Sequence, residues 1–162
     1  MWAGRKSCPS GITLLESLLA AIVLAMAVTA IVMPFTAGAQ SVAEEARMTL
    51  AVNLAQDLME EILSKAFRDP DGTSFGETGR SAWDDMSDYD GFSEQEGCIV
   101  GSDGATIEGA AAVGLTRHAS VQSVYVAGQD TAKPPTFCRV SVNVRYHGHT
   151  IMQISRLAYA NE

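Results

Sequence analysis

"RKSCPSGITLLESLLAAIVLAMAVTAIVMPF", Arg5–Phe35, sets two cations and a glycine ahead of a long apolar run that carries one carboxylate, Glu16, near its start. Ile12–Phe35 is 24 residues long with no other charge. As a helix it would measure about 36 Å, enough to cross a hydrocarbon core of about 30 Å. Arg5 and Lys6 before the run and Glu44 and Glu45 after it place the N-terminus in the cytoplasm by the positive-inside rule, so the rest of the chain is expected on the far side. The run is therefore a candidate contact with the lipid bilayer. A lone carboxylate inside it costs a few kcal/mol at the least, which makes Glu16 the residue to explain.

Three readings compete. A secretory signal peptide has a basic start, an apolar stretch and small residues before its cut, here Ala37-Gly38-Ala39 ahead of Gln40. The run is longer than such a stretch usually is, and Glu16 interrupts it. A plain signal anchor accounts for the length and again leaves Glu16 idle. The third reading uses every residue quoted.

"KSCPSGITLLESLLAAIVLA" resembles the N-terminus of type IV prepilins and type II secretion pseudopilins, in which a short basic leader ending in glycine is removed by a dedicated prepilin peptidase. The resemblance implies cleavage between Gly11 and Ile12, N-methylation of Ile12, and Glu16 at the fifth place of the mature chain, where the family carries a glutamate. It further implies that Glu16 pairs with the N-terminal cation of a neighbouring subunit in a filament core. Such pairing relieves much of the penalty for a buried carboxylate. "TLLES" looks more like the minor pseudopilin I and PilV-like group than like major subunits. Ile12 stands where phenylalanine is common, a mild departure. The partners implied are other pilin or pseudopilin subunits, the prepilin peptidase and an inner-membrane assembly platform; the location implied is the bacterial inner membrane, with a periplasmic C-terminal domain, and then a pilus or pseudopilus.

The rest of the chain is consistent with one modest domain beyond the apolar segment. Hydrophobic residues make up 47% and charged ones 19%, but much of the apolar excess lies before Phe35, so these averages blend two unlike parts. Net charge is −8, and residues 69–108 hold eleven acids against one base, Arg80. An acidic body has no basic groove for phosphate backbones, so no nucleic-acid contact is expected; cations or basic protein surfaces suit it better.

Beyond Pro34, which should break or kink the helix, Val42, Ala46, Leu50, Leu54, Leu58 and Ile62 recur every four residues and define a broad apolar helix face. Glu61 and Lys65 are spaced as an i,i+4 pair. The helix is expected to stop near Arg68, because Asp69 precedes Pro70.

Residues 69–114, rich in Gly, Asp and Ser, read as loops and short strands. "WDDMSDYDGFSEQEG" sets Trp83, Tyr89 and Phe92 among acids, aromatics suited to anchoring the loop on the domain. Asp84, Asp85, Asp88 and Asp90 are the candidate calcium ligands, since calcium takes several carboxylate and carbonyl oxygens on a flexible loop. An EF-hand register ending at Gly91 fails, with Met86 at the first ligand position and Gly97 at the last. A solvated acidic face is the competing reading, and no other cofactor is expected.

After Gly114 the pattern alternates. Cys138, Val140, Val142, Val144 and Tyr146 share one face of a strand; His147–His149 form a turn; a second strand runs through Ile151, Gln153 and Leu157; Ser120–Gly128 reads as a third. The expected fold class is α+β and pilin-like: a long N-terminal transmembrane-plus-amphipathic helix packed against a small antiparallel β-sheet. Its parts are a leader, 1–11, a membrane or filament-core helix, 12–35, an amphipathic continuation, 36–68, and a globular region, 69–162, with an acidic loop, 69–114, and the sheet, 115–160.

Of three cysteines, Cys8 falls in the leader, leaving Cys98 and Cys138 as a candidate disulfide in an oxidising compartment, or as two unpaired thiols. His147 and His149 flank a turn glycine without further ligands. No P-loop, dinucleotide fingerprint, zinc-protease helix or nucleophile elbow occurs, so the chain is not expected to be an enzyme. The alternative function is an exported or membrane-anchored binding or enzymatic domain whose ordinary signal peptide is cut near Ala39.

Overall fold

The computed structural model describes residues 13–70, 79–101, 103–130 and 132–160. Gly11 and Ile12 lie outside these residues. The elements are α1 (Leu14–Leu63), a single 3-10 turn (Ser87–Tyr89), β1 (Ser93–Glu94), β2 (Leu115–Val124), β3 (Phe137–Tyr146) and β4 (His149–Tyr159). Two compact units divide the chain, Met1–Val42 and Ala43–Glu162.

In the first unit α1 leaves its apolar side chains uncovered: Leu14, Leu18, Val23, Ile31 and Phe35 are all exposed. This part of α1 is long and apolar enough to cross a membrane. Pro34 lies inside α1 and does not end it, so of the break or kink expected there the break does not occur and the helix continues as the spine. A proline removes one amide donor, and long helical flanks on both sides carry the helix across that loss. Hydroxyls along this stretch turn inward on the helix, with Thr29 Oγ1 donating to Ala25 O at 2.7 Å and Thr36 Oγ1 to Met33 O at 2.9 Å.

In the second unit the helix acquires a covered face. Ala51, Leu54, Ala55, Leu58, Met59 and Ile62 are buried, at the spacing that the sequence set. Coverage starts late, because Val42 remains 66% exposed. Against these residues pack Leu115, Ala119, Cys138, Val140, Val142 and Val144 of the sheet. That arrangement lets helix face and sheet face remove each other's apolar surface from water.

The sheet is antiparallel throughout, in the order β1-β2-β3-β4. β3 follows the alternation of its sequence, Val140, Val142 and Val144 inward and Arg139 and Arg145 outward. β2 starts at Leu115 and stops at Val124, earlier than the expected Ser120–Gly128. An arginine at the inward position 117 hides its start, for a reason given below. The β3–β4 turn places His147 at φ 47 and Gly148 at φ 83.

Helix α1 ends at Leu63 rather than near Arg68. Ser64 Oγ donates to Glu61 O at 2.6 Å, and the chain then leaves the helix to pair with the acidic loop: Ala66 N donates to Asp84 O at 3.1 Å and Met86 N to Ala66 O at 3.0 Å. A tertiary bridge thus takes the last turn that local propensity offered.

Gly114 shows how tightly the start of β2 is held. Its N–H donates to Glu96 Oε1 at 2.7 Å and its carbonyl accepts from His147 N at 2.9 Å. A Cβ there would lie 2.8 Å from both His147 Cε1 and Tyr146 Cε2, at φ +80. Gly114→Ala is expected to lower stability by about 1–3 kcal/mol, read as a reduced urea midpoint. An unchanged midpoint would show that the β3–β4 turn moves aside freely.

Candidate functional site

At the start of α1, Thr13 Oγ1 accepts from Glu16 N at 3.3 Å and Thr13 O accepts from Ser17 N at 3.1 Å. Thr13 is the N-cap and Glu16 the third helical residue, so "TLLE" has the spacing of a capping box. Sequence reasoning missed this role, although the Ser/Thr-x-x-Glu signal was present. Glu16 also sits where the helix dipole favours negative charge, by about 0.3–1 kcal/mol. That is less than the cost of a carboxylate among hydrocarbon tails, which on insertion scales reaches about 2.5–3.5 kcal/mol at the centre of a span. Within a bilayer, capping and dipole would offset only part of the cost of Glu16.

The second unit holds a ladder of charges, Glu61–Arg80–Glu94–Arg117, that joins α1, the acidic loop and β2. Arg117 is fully buried at an inward position of β2, and Glu94 is only 7% exposed. Arg117 Nε donates to Glu94 Oε2 at 2.6 Å, Nη1 to Leu54 O at 3.0 Å and Nη2 to Val100 O at 2.8 Å. Arg80 Nη1 donates to Glu94 Oε1 at 2.9 Å, and its Nε and Nη2 form a two-pronged contact with Glu61, Nε to Oε1 at 2.7 Å. Tyr89 Oη donates to the same Glu61 oxygen at 2.7 Å. The one base of the acidic segment is the link that lets two carboxylates and a buried guanidinium share a site. Glu61 thus turns to Arg80 and not to Lys65, whose Nζ donates to Trp83 O at 2.6 Å.

Aromatic rings close the other side of the ladder. Trp83 meets Tyr89 and Phe92 edge-on, with centroids 4.7 and 5.2 Å apart, and Tyr89 is fully buried. The acidic-aromatic loop is therefore part of the core. Arg47 of α1 lies at the end of the sheet where β2 begins and β3 ends, its guanidinium 3.9 Å from the centre of the Tyr146 ring.

The Arg80 hydrogen bond holds the Glu61 carboxyl below its ordinary value near 4.5, outweighing burial. Burial, then the Glu61 carboxylate, pushes the Tyr89 hydroxyl up. Burial pulls the Arg117 guanidinium down, and Glu94 opposes it. Because Glu61 is depressed in the folded state, its contribution is present above pH ~4.5 and is lost as pH falls through its lowered value. Wild-type protein is expected to lose stability across that acid range, and Glu61→Gln to show a flatter acid limb. Parallel pH profiles for the two would remove Glu61 from the account.

Of the four candidate calcium ligands, the structure brings Asp84 and Asp85 together and turns Asp88 and Asp90 to backbone amides. Asp88 Oδ2 accepts from the Asp84 and Asp85 amides at 3.2 and 3.1 Å, and Asp90 Oδ1 accepts from Val121 N at 2.9 Å. Asp85 accepts from Ser87 N. Asp84 and Asp85 lie instead with Asp69, one oxygen of each within 4.8 Å of the others. The contacts of Asp88 and Asp85 with amides two to four residues away are backbone capping of a tight turn. Cys98 is exposed on a turn, while Cys138 is buried with its Sγ 3.9 Å from Met86 Sδ, and both are free thiols. Of the two alternatives, bridge or unpaired thiols, the structure has the unpaired thiols, with Cys138 directed into the core by β3 and Cys98 at the surface. His147 packs beside Tyr146, ring centroids 4.1 Å apart, and His149 pairs with Tyr146 in the sheet register. Among the described residues neither histidine joins a metal-ligating cluster.

These two places define an α+β chain with an uncovered apolar N-terminal helix, a single charge in its first turn, and a body built on the second half of that helix. No family model, curated protein or solved structure matches the chain.

Proposed function

We infer that the chain is a membrane-stored filament subunit, a non-enzymatic protein that acts by assembly. More particularly, it is a minor pilin or pseudopilin of a type IV pilus or type II secretion machine, cut by prepilin peptidase between Gly11 and Ile12. The observation that carries this reading is Glu16: the one charge in the uncovered part of α1 before Glu44, set in the first turn, five residues beyond Gly11. An N-terminal ammonium from a neighbouring Ile12 supplies the compensation that Thr13 and the helix dipole do not. In the membrane-stored form, Arg5 and Lys6 keep the leader cytoplasmic and the body faces the periplasm.

The helix also bears on the signal-peptide reading. Ala37, Gly38 and Ala39 lie within α1, whereas a protease accepts extended chain. The test is fractionation of cells producing the full chain together with a filament system. The processed chain is expected in the sheared filament fraction, in a manner that depends on prepilin peptidase. A chain found only in the membrane or the soluble periplasm, with filaments present, would overturn the reading.

A further inference from the structure

The outward face of the sheet is sorted by chemistry in rows that run across the strands. Because Val140, Val142 and Val144 are buried, the alternate positions of β3 and their strand partners turn away from the helix. One row is Ser93, His118, Asn143 and Gln153. The next is Ser120, Ser141 and Ser155, in which the Ser141 and Ser155 hydroxyls share a hydrogen bond at 2.9 Å. Every side chain in the two rows carries a hydrogen-bonding group, and none is an acid.

An arginine lies on either side of these rows. Arg145 stands between Thr116 and Thr150, and Arg139 between Gln122 and Leu157. Six residues of strand put the two about 20 Å apart. Both are exposed, and among the described residues neither is in an ion pair. The charge of Arg145 is felt within the face, since burial and then that charge pull the His118 imidazole below its usual pKa. The last row is apolar: Val124, Phe137 and Tyr159. Tyr159 is 62% exposed, and Leu157 beside Arg139 is 57% exposed.

This face has a definite chemical complement. Hydroxyl and amide side chains pair with hydroxyl and amide groups, and guanidiniums set far apart pair with carboxylates set far apart. An exposed ring and a leucine seat apolar C–H surface. A phosphate backbone does not fit, because duplex DNA carries one charge per about 1.7 Å of axis and single strands need an aromatic ring under successive bases. A glycan strand that bears acetamido groups and short acidic peptides offers all three features.

We propose that the outer face of the sheet binds the peptidoglycan of the cell wall. Sugar hydroxyls and acetamido groups meet the serine and amide rows, peptide carboxylates meet Arg139 and Arg145, and Leu157 and Tyr159 cover a sugar ring. The proposal rests on the filament reading in one respect, the periplasmic side of the body, where this polymer lies. It needs neither leader cleavage nor Glu16.

The test is co-sedimentation of the purified full chain, in detergent, with peptidoglycan sacculi, with cellulose as a neutral glycan and with DNA-cellulose. The expected result is retention by sacculi above that by either other support, weakening as salt is raised. Arg139→Glu with Arg145→Glu is expected to lower the bound fraction about tenfold, and the milder Arg139→Gln with Arg145→Gln about threefold. Equal retention by cellulose, tighter retention by DNA-cellulose, unchanged retention of either arginine variant, or no retention would each overturn the proposal. Precursor and processed chain are expected to bind alike, so failure here leaves the filament reading standing. Conversely, binding to sacculi by a chain that prepilin peptidase never cuts would count against the filament reading alone.

Discussion

Arg117→Leu is expected to destabilise the folded body by about 3–5 kcal/mol, the largest effect of any single substitution considered for its stability. The guanidinium is fully buried, and its removal leaves Glu94 Oε2 without its donor, takes one donor from Leu54 O, and leaves Val100 O only the longer 3.3 Å bond from Arg80 Nη1. The cost comes less from a lost attraction than from groups left buried without partners. Glu94→Leu together with Arg117→Leu is therefore expected to recover much of the loss, since a pair of apolar residues leaves no stranded charge. Urea unfolding followed by the fluorescence of Trp83, which packs against Tyr89 and Phe92, reads both variants. A single-variant loss below about 1 kcal/mol would mean that water reaches the ladder and that it does not hold the acidic loop to the helix.

Glu16→Ala is expected to leave cleavage after Gly11 intact and to reduce recovery in the filament fraction by on the order of a hundredfold. The size follows from the balance at this residue. In the membrane the carboxylate is costly, by up to about 2.5–3.5 kcal/mol, the figure for the centre of a span, and pairing with a neighbouring ammonium relieves that cost only on assembly. Alanine removes both the penalty and the relief, so the stored form gains and the filament loses. Glu16→Gln divides this role from that of the helix start, because a glutamine at this place serves a capping box equally well. The glutamine variant is expected to fail like alanine. Normal incorporation of either one would take the charge out of the mechanism and leave Glu16 as a capping residue.

Local signals were legible wherever one stretch of chain decides the outcome. The alternation from Cys138 to Tyr146 gave β3 and its inward face, and the four-residue recurrence from Leu50 to Ile62 gave the buried face of α1. Errors arose where a distant residue intervenes. Arg117 made Leu115–Ala119 look unlike a buried strand start, because the carboxylate that admits it lies 23 residues away at Glu94. The end of α1 moved from Arg68 to Leu63 because Ala66 pairs with Asp85, and Glu61 left Lys65 for Arg80. The isolated base among eleven acids was the visible trace of the charge ladder, but nothing local says which acids it joins. Thr13, by contrast, was legible and unread: the capping spacing stands in the sequence. The four candidate calcium ligands divide in a way that acid composition does not reveal: Asp84 and Asp85 lie with Asp69, whereas Asp88 and Asp90 accept from backbone amides.

The most direct measurement is the intact mass, with N-terminal fragmentation, of the full chain extracted from bacterial membranes that contain prepilin peptidase. A filament subunit of the kind inferred here begins at Ile12 and carries a methyl group on its α-amine. A chain that begins at Gln40, or one that keeps residues 1–11 with the peptidase present, would contradict it.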